Sequence, residues 1–181
     1  FMQALTARPG VAALALQYCI LTASRSGEVR GATWREINLR KAEWTIPAER
    51  MKARKEHSVP LSGRAVEILQ QLTIGHADEI IFKAPRGGML SDMTLGAVLK
   101  RMDVPVTVHG FRSSFRDWAG ETTAHPREVT EHALAHQLKD KAEAAYARGT
   151  LFDKRRHLMN DWGSYCAQTN AAEAQVLQMR Q

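Results

Sequence analysis

Cysteine is scarce in this chain, with only Cys19 and Cys166 among 181 residues. The two are far apart in helix-patterned apolar surroundings, which excludes a disulfide scaffold and suits a reducing, cytoplasmic setting. Long apolar runs are absent too: none approaches the roughly 18 residues of a membrane span. The most apolar run, VAALALQYCIL at 11–21, lacks a basic leader and a cleavage site, so it reads as a buried helix and not as a signal peptide. No internal repeat and no low-complexity linker divides the chain, so we expect one domain over residues 1–181. The helical pattern is already under way at Phe1-Met2, which reads as a piece of a longer protein.

What is present is globular and basic. Hydrophobic residues make up 44% and charged residues 24%, a composition that supports a core and excludes a disordered or fibrous chain. Lys and Arg number 25 against 19 Asp and Glu, a formal charge of +6. That surplus favours an anionic partner such as nucleic acid.

The periodicity predicts an α+β fold, mostly helical. A central helix over 11–22 is followed by one over 25–34 capped by Ser24. Period-2 alternation in EINLR, AEWTIPA and EHSVPLS then predicts a small three-stranded antiparallel sheet. Helices return: one capped by Ser62, one capped by Ser91 or Asp92, and one from His109 to about Glu121 with Phe111, Phe115, Trp118 and Ala119 as its apolar side. DEIIF, between the first two of these, reads as a short extended piece. Pro126 suits the first turn of a helix running to about Ala135. KDKAEAAYARG forms a further short helix stopped by Gly149, and Asp153 caps the last.

Several short stretches can carry chemistry, each with an unremarkable alternative. HGFR puts His109 and Arg112 on one face at a helix start, where backbone N–H groups and the dipole favour an anion; a solvated polar face is the alternative. In TASRSGEVRG, Arg25 opens a helix and Glu28 can brace it, or the two form an ordinary i,i+3 surface pair. ERMKARKE is a hairpin tip rich in cations, either a solvated turn or an arm carrying a lysine that donates a proton. Tyr146 among alanines is either a half-buried tyrosine or a nucleophile. His132 and His136 share helical i,i+4 spacing, but Ala133 stands where a zinc protease would carry Glu and no third ligand is evident, so we expect no metal and no cofactor. His57, His76, His125 and His157 read as surface or capping residues.

Together, and in this order, these pieces resemble the catalytic domain of the tyrosine recombinase family, in particular phage and genomic-island integrases. The resemblance runs from LTASRSGEVRGATW to AYARGTLFDKRRHLMNDWGSYC. It implies a multihelical DNA breaking-and-rejoining fold, with upstream DNA-gripping domains outside this stretch. It assigns catalytic roles to Arg25, Lys52, His109, Arg112, His136 and Tyr146, with Glu28 in support. Lys55 and Arg54 compete with Lys52 in the same tip, and Ala23 stands where the family usually carries glycine. The implied partners are double-stranded DNA at attachment sites and other protomers, as a tetramer on two duplexes, with the isolated piece monomeric and no membrane. The implied reaction is strand cleavage through a 3′-phosphotyrosine and religation, without metal, inside a bacterial cell. Two other functions remain open: supercoil relaxation of the type IB topoisomerase kind, whose catalytic set is similar, and a basic DNA-binding module whose tyrosine is only structural. A metal-dependent nuclease or phosphatase ranks behind both.

Overall fold

The computed structural model describes residues 1–136 and 151–168. Helix α1 (Met2–Thr6) leads through Gly10, at φ 102°, into α2 (Val11–Leu21). Apolar on all sides, α2 is the central post: α1, α3 (Ser26–Arg30), α4 (Gly63–Gln70), α5 (Thr94–Arg101) and α8 (Phe152–Ala167) all pack on it. The remaining helices are α6 (Gly110–Thr122) and α7 (Arg127–Ala133).

Strands β1 (Ile37–Asn38), β2 (Glu43–Ile46) and β3 (His57–Pro60) form an antiparallel sheet in the order β1-β2-β3. Trp44 lies opposite Ile37 on one side and Val59 on the other. Trp44 and Ile46 are fully buried while Glu43 and Thr45 are half-buried, as the alternation predicts. DEIIF contributes one bridge, Thr33 to Ile80, before Ile81 and Phe82 enter the core.

Two aromatic clusters hold these layers. Tyr18 of α2 sits 5.4 Å from both Trp44 and Phe82, tying the post to the sheet. Phe115 and Trp118 of α6 meet Trp162 of α8 at 5.4 and 5.0 Å, and Trp162 Nε1 donates to Ile20 O at 2.8 Å. A tryptophan whose N–H reaches a buried carbonyl adds directional anchoring to its apolar area. Gly163 lets α8 approach Ser62, since a Cβ there would stand 2.8 Å from Ser62 Cβ.

The helix starts differ from expectation. Ser24 does not cap α3; its hydroxyl donates to Thr22 O, Arg25 takes the N-cap position, and the helix stops at Arg30 instead of reaching 34, with Trp34–Glu36 forming a separate 3₁₀ turn. Ser62 occupies the N-cap of α4, but its buried hydroxyl makes no capping bond. Neither Ser91 nor Asp92 caps α5, which begins after Met93; Ser91 pairs its hydroxyl with that of Thr94. Pro126 is the N-cap of α7, not its first turn. Asp153 lies inside the first turn of α8, because Leu151, at φ 49°, takes the N-cap position two residues earlier. The expected helix over 139–149, with Tyr146, lies outside the described residues, as does the tail from residue 169.

Candidate functional site

The α2–α3 junction builds the first half of the site. Ala23 adopts φ 48°, a left-handed conformation costing a non-glycine residue about 1 kcal/mol, which accounts for glycine at this position in the family the sequence resembles. The turn delivers Arg25 to the start of α3. Glu28, one turn on and buried, accepts from the Arg25 backbone N–H through Oε2 and from Nη1 through Oε1, both at 2.8 Å. One carboxylate therefore fixes both the main chain and the guanidinium of Arg25, whose side chain remains 27% exposed.

Arg112 supplies the second half, and its setting departs from the solvated helix face weighed above. It is only 5% exposed. Nη1 donates to Ala23 O, and Nη2 donates to Leu134 O at 2.7 Å and faces His136 Nε2 at 3.4 Å. The guanidinium thus bridges the α2–α3 junction to the end of α7. Burial, followed by the charge of Arg25, lowers its pKa to about 10, so it remains a cation at neutral pH. Two guanidiniums are brought near one another with the single carboxylate of Glu28 beside them, and Arg112 Nε is buried without a partner. Such an arrangement attracts an anion with several acceptor oxygens.

His136 joins them through the turn after α7. Ala135 at φ 50° folds the chain back so that His136 N donates to Glu131 O at 2.9 Å. The ring bonds Glu131 Oε2 through Nδ1 at 2.7 Å. Glu131 Oε1 lies 3.1 Å from Arg116 Nε, off the axis of a hydrogen bond and so an ion pair only.

His57 is a correction. It was expected at the surface or in a cap, yet it is half-buried in β3 and donates from Nε2 to Ala133 O at 3.3 Å. Burial, then the charge of Arg155, lowers its pKa from 6.5 to about 4. The neutral ring is therefore the native one. An unfolded chain takes up the proton below about pH 6.5 and the folded one only near 4, so stability falls as pH drops through that window, by up to about 1.4 kcal/mol per unit. Urea unfolding at about pH 7 and about pH 5 should show a smaller pH-dependent loss for His57→Gln, which keeps a donor for Ala133 O, than for the wild type. Equal losses would mean His57 is not held neutral.

Arg25, Glu28, Arg112 and His136 are thus gathered at one place. His109 is exposed at the N-cap of α6, one turn before Arg112, and Thr107 rather than His109 bonds the Gly110 N–H. Lys52 is exposed on the β2–β3 connection, directly after buried Met51; among the described residues it makes no hydrogen bond or ion pair with the clustered groups. Lys55 is exposed as well, and its charge contributes, after burial and Arg155, to a lowered pKa at His132. Tyr146 lies outside the described residues. The other two tyrosines are otherwise engaged: Tyr18 is fully buried, and Tyr165 stacks 5.6 Å from Trp162. Among the described residues no group of three or more His, Cys, Asp or Glu is placed to hold a metal ion, and no helix is long and apolar enough to cross a membrane.

Sequence reasoning missed Glu131 and Arg155 as well as His57. Arg155 of α8 is buried and donates to Ser58 O at 2.7 Å, pinning the last helix to β3.

Comparison with known proteins yields a consistent set. The profile of the phage integrase family matches residues 1–170. Prophage integrase IntA of Escherichia coli K12 is 35% identical over 148 residues, covering 79% of this chain and 36% of that protein. The integrase of enterobacteria phage P4 is 32% identical over 172 residues, covering 84% of this chain and 39% of that one. The chain thus spans about two-fifths of the length of these relatives. Among solved structures, the integrase from mycobacterium phage Brujita superposes with a TM-score of 0.67 at 20% identity, over 87% of this chain and 54% of that one, a likeness of fold.

Proposed function

The chain belongs to the phage integrase family, and from that premise we propose that it is the catalytic part of a site-specific DNA recombinase that cuts and rejoins strands through a phosphotyrosine. The observation that carries this reading is a buried Arg112 that bridges Ala23 O, two residues before the Glu28-braced Arg25, to Leu134 O, with His136 Nε2 3.4 Å from the same guanidinium.

The chemistry follows from those groups. Arg25 and Arg112 hold the nonbridging oxygens of one phosphodiester, and His109 adds a hydrogen bond, so charge gained at phosphorus in the transition state meets fixed donors. Tyr146 is the nucleophile. A phenol ordinarily ionises near pH 10, and the clustered cations favour the phenolate as it forms. The tyrosine oxygen bonds to phosphorus as the bond to the 5′ oxygen breaks. The phenolic proton passes to His136 Nε2, and Lys52 protonates the departing 5′ oxygen. The 3′-phosphotyrosyl bond keeps the energy of the broken ester, so a second 5′ hydroxyl can reverse the step without ATP. Work on two duplexes requires several protomers on attachment-site DNA, the assembly we propose for the whole protein.

A nicked duplex carrying the cognate site, incubated with chelator, should give a protein–DNA complex that survives denaturation, while a supercoiled plasmid lacking the site stays supercoiled. Relaxation of that plasmid would favour the topoisomerase reading. Salt-sensitive binding with no adduct would leave a DNA-binding module.

A further inference from the structure

We propose that Glu131 is a positioning residue of the site: it holds His136 in the tautomer whose bare Nε2 faces Arg112 and the reacting phosphate. The inference rests on the functional reading above for its catalytic consequence, but its structural half stands on this chain alone.

The carboxylate is buried, 8% exposed, at the C-terminal end of α7. It grips His136 twice, through the backbone bond from His136 N to Glu131 O at 2.9 Å and through the side-chain bond between Nδ1 and Oε2 at 2.7 Å. A carboxylate oxygen only accepts, so Nδ1 carries the hydrogen. On the opposite edge of the ring, Nε2 faces Arg112 Nη2 at 3.4 Å. A guanidinium only donates, so Nε2 must present its lone pair. Both neighbours therefore demand the same tautomer, and neither is satisfied by the other one. Arg116 balances the second carboxylate oxygen by an ion pair at 3.1 Å, and Ala135 in its left-handed conformation sets the turn that makes the grip possible.

The consequence is directional. A lone pair at Nε2 can take the phenolic proton when the tyrosine oxygen bonds to phosphorus. The imidazolium that results no longer accepts from Arg112 Nη2 and keeps Nδ1–H on a carboxylate. With Nδ1 released, the ring can turn over to its Nε2–H form, which has no lone pair on that side.

The test uses ¹⁵N-labelled chain without DNA, where long-range ¹H–¹⁵N spectra assign the two ring nitrogens. In the wild type His136 should show a protonated Nδ1 and a bare Nε2. Glu131→Ala should move the ring toward the Nε2–H form and slow covalent adduct formation roughly tenfold or more. Glu131→Gln, whose amide oxygen also accepts from Nδ1, should keep the tautomer and recover part of the rate. A purely structural role would lower the unfolding midpoint of Glu131→Ala and leave the tautomer where it was. That unchanged tautomer, or an adduct rate unaffected by Glu131→Ala, would overturn the proposal. His136→Ala separates the two readings: if it leaves the adduct rate intact while Glu131→Ala still shifts the tautomer, the role given to His136 fails and the Glu131–His136 link survives.

Discussion

Replacing Arg112 by lysine should lower the rate of adduct formation by about 10²–10³-fold while leaving the chain folded. In the proposed mechanism Arg112 has two tasks that a lysine cannot combine. Its planar fork already spends Nη1 on Ala23 O and Nη2 on Leu134 O, carbonyls 89 and 22 positions away in the chain. Nη2 also faces His136 Nε2 at 3.4 Å, and Nε is left without a partner. A lysine keeps the charge but concentrates its donors at one point, so it can serve the carbonyls or the phosphate but not both geometries. Loss of one preorganised donor to a developing oxyanion costs on that order of rate. Alanine at the same position removes the charge and strands both carbonyls, and each lost bond to a charged group is worth about 1.5–3 kcal/mol. Against a total stability of roughly 5–15 kcal/mol, Arg112→Ala should therefore be visibly destabilised in a urea melt, and Arg112→Lys much less. A lysine variant that cleaves at the wild-type rate would remove Arg112 from the phosphate clamp.

Tyr146→Phe should abolish the adduct altogether, a drop on the order of 10⁶-fold by comparison with removal of other covalent nucleophiles, with DNA binding and unfolding midpoint unchanged. The chain has three tyrosines. Burial pushes the Tyr18 hydroxyl well above its usual pKa, and that side chain is closed off between Trp44 and Phe82. Tyr165 is exposed but stacked on Trp162 and tilted against Trp118. Gel shifts and urea melts run beside the cleavage assay separate loss of the nucleophile from loss of binding or fold. An adduct formed by Tyr146→Phe would mean that another group attacks the phosphorus.

Much of the fold was legible because it rests on local pattern. The all-apolar α2, the alternation around Trp44 and the apolar side of α6 need only their own neighbours in sequence to declare themselves. The cap positions were not, since Ser24, Ser91 and Asp153 had plausible chemistry while the backbone turns at Ala23 and Leu151 decided where the helices start. At the site, the arginines and His136 were legible as an ordered set, whereas their environment was not. Nothing in HGFR says that Arg112 is buried, because its carbonyl partners come from the α2–α3 junction and the end of α7. His57 looked like any polar residue on a short strand until Ala133 packed over it. Glu131 is five positions from His136, which is not a helical neighbour spacing; only the left-handed Ala135 brings the two side chains together.

The most direct measurement is to trap the wild-type chain on a nicked duplex bearing its attachment site, digest the denatured complex with protease, and locate the DNA-bearing peptide by mass spectrometry. The account predicts a 3′-phosphonucleotide on Tyr146, formed in the presence of chelator. A peptide carrying the DNA at any other residue, or no covalent species under conditions where the duplex is bound, would contradict it.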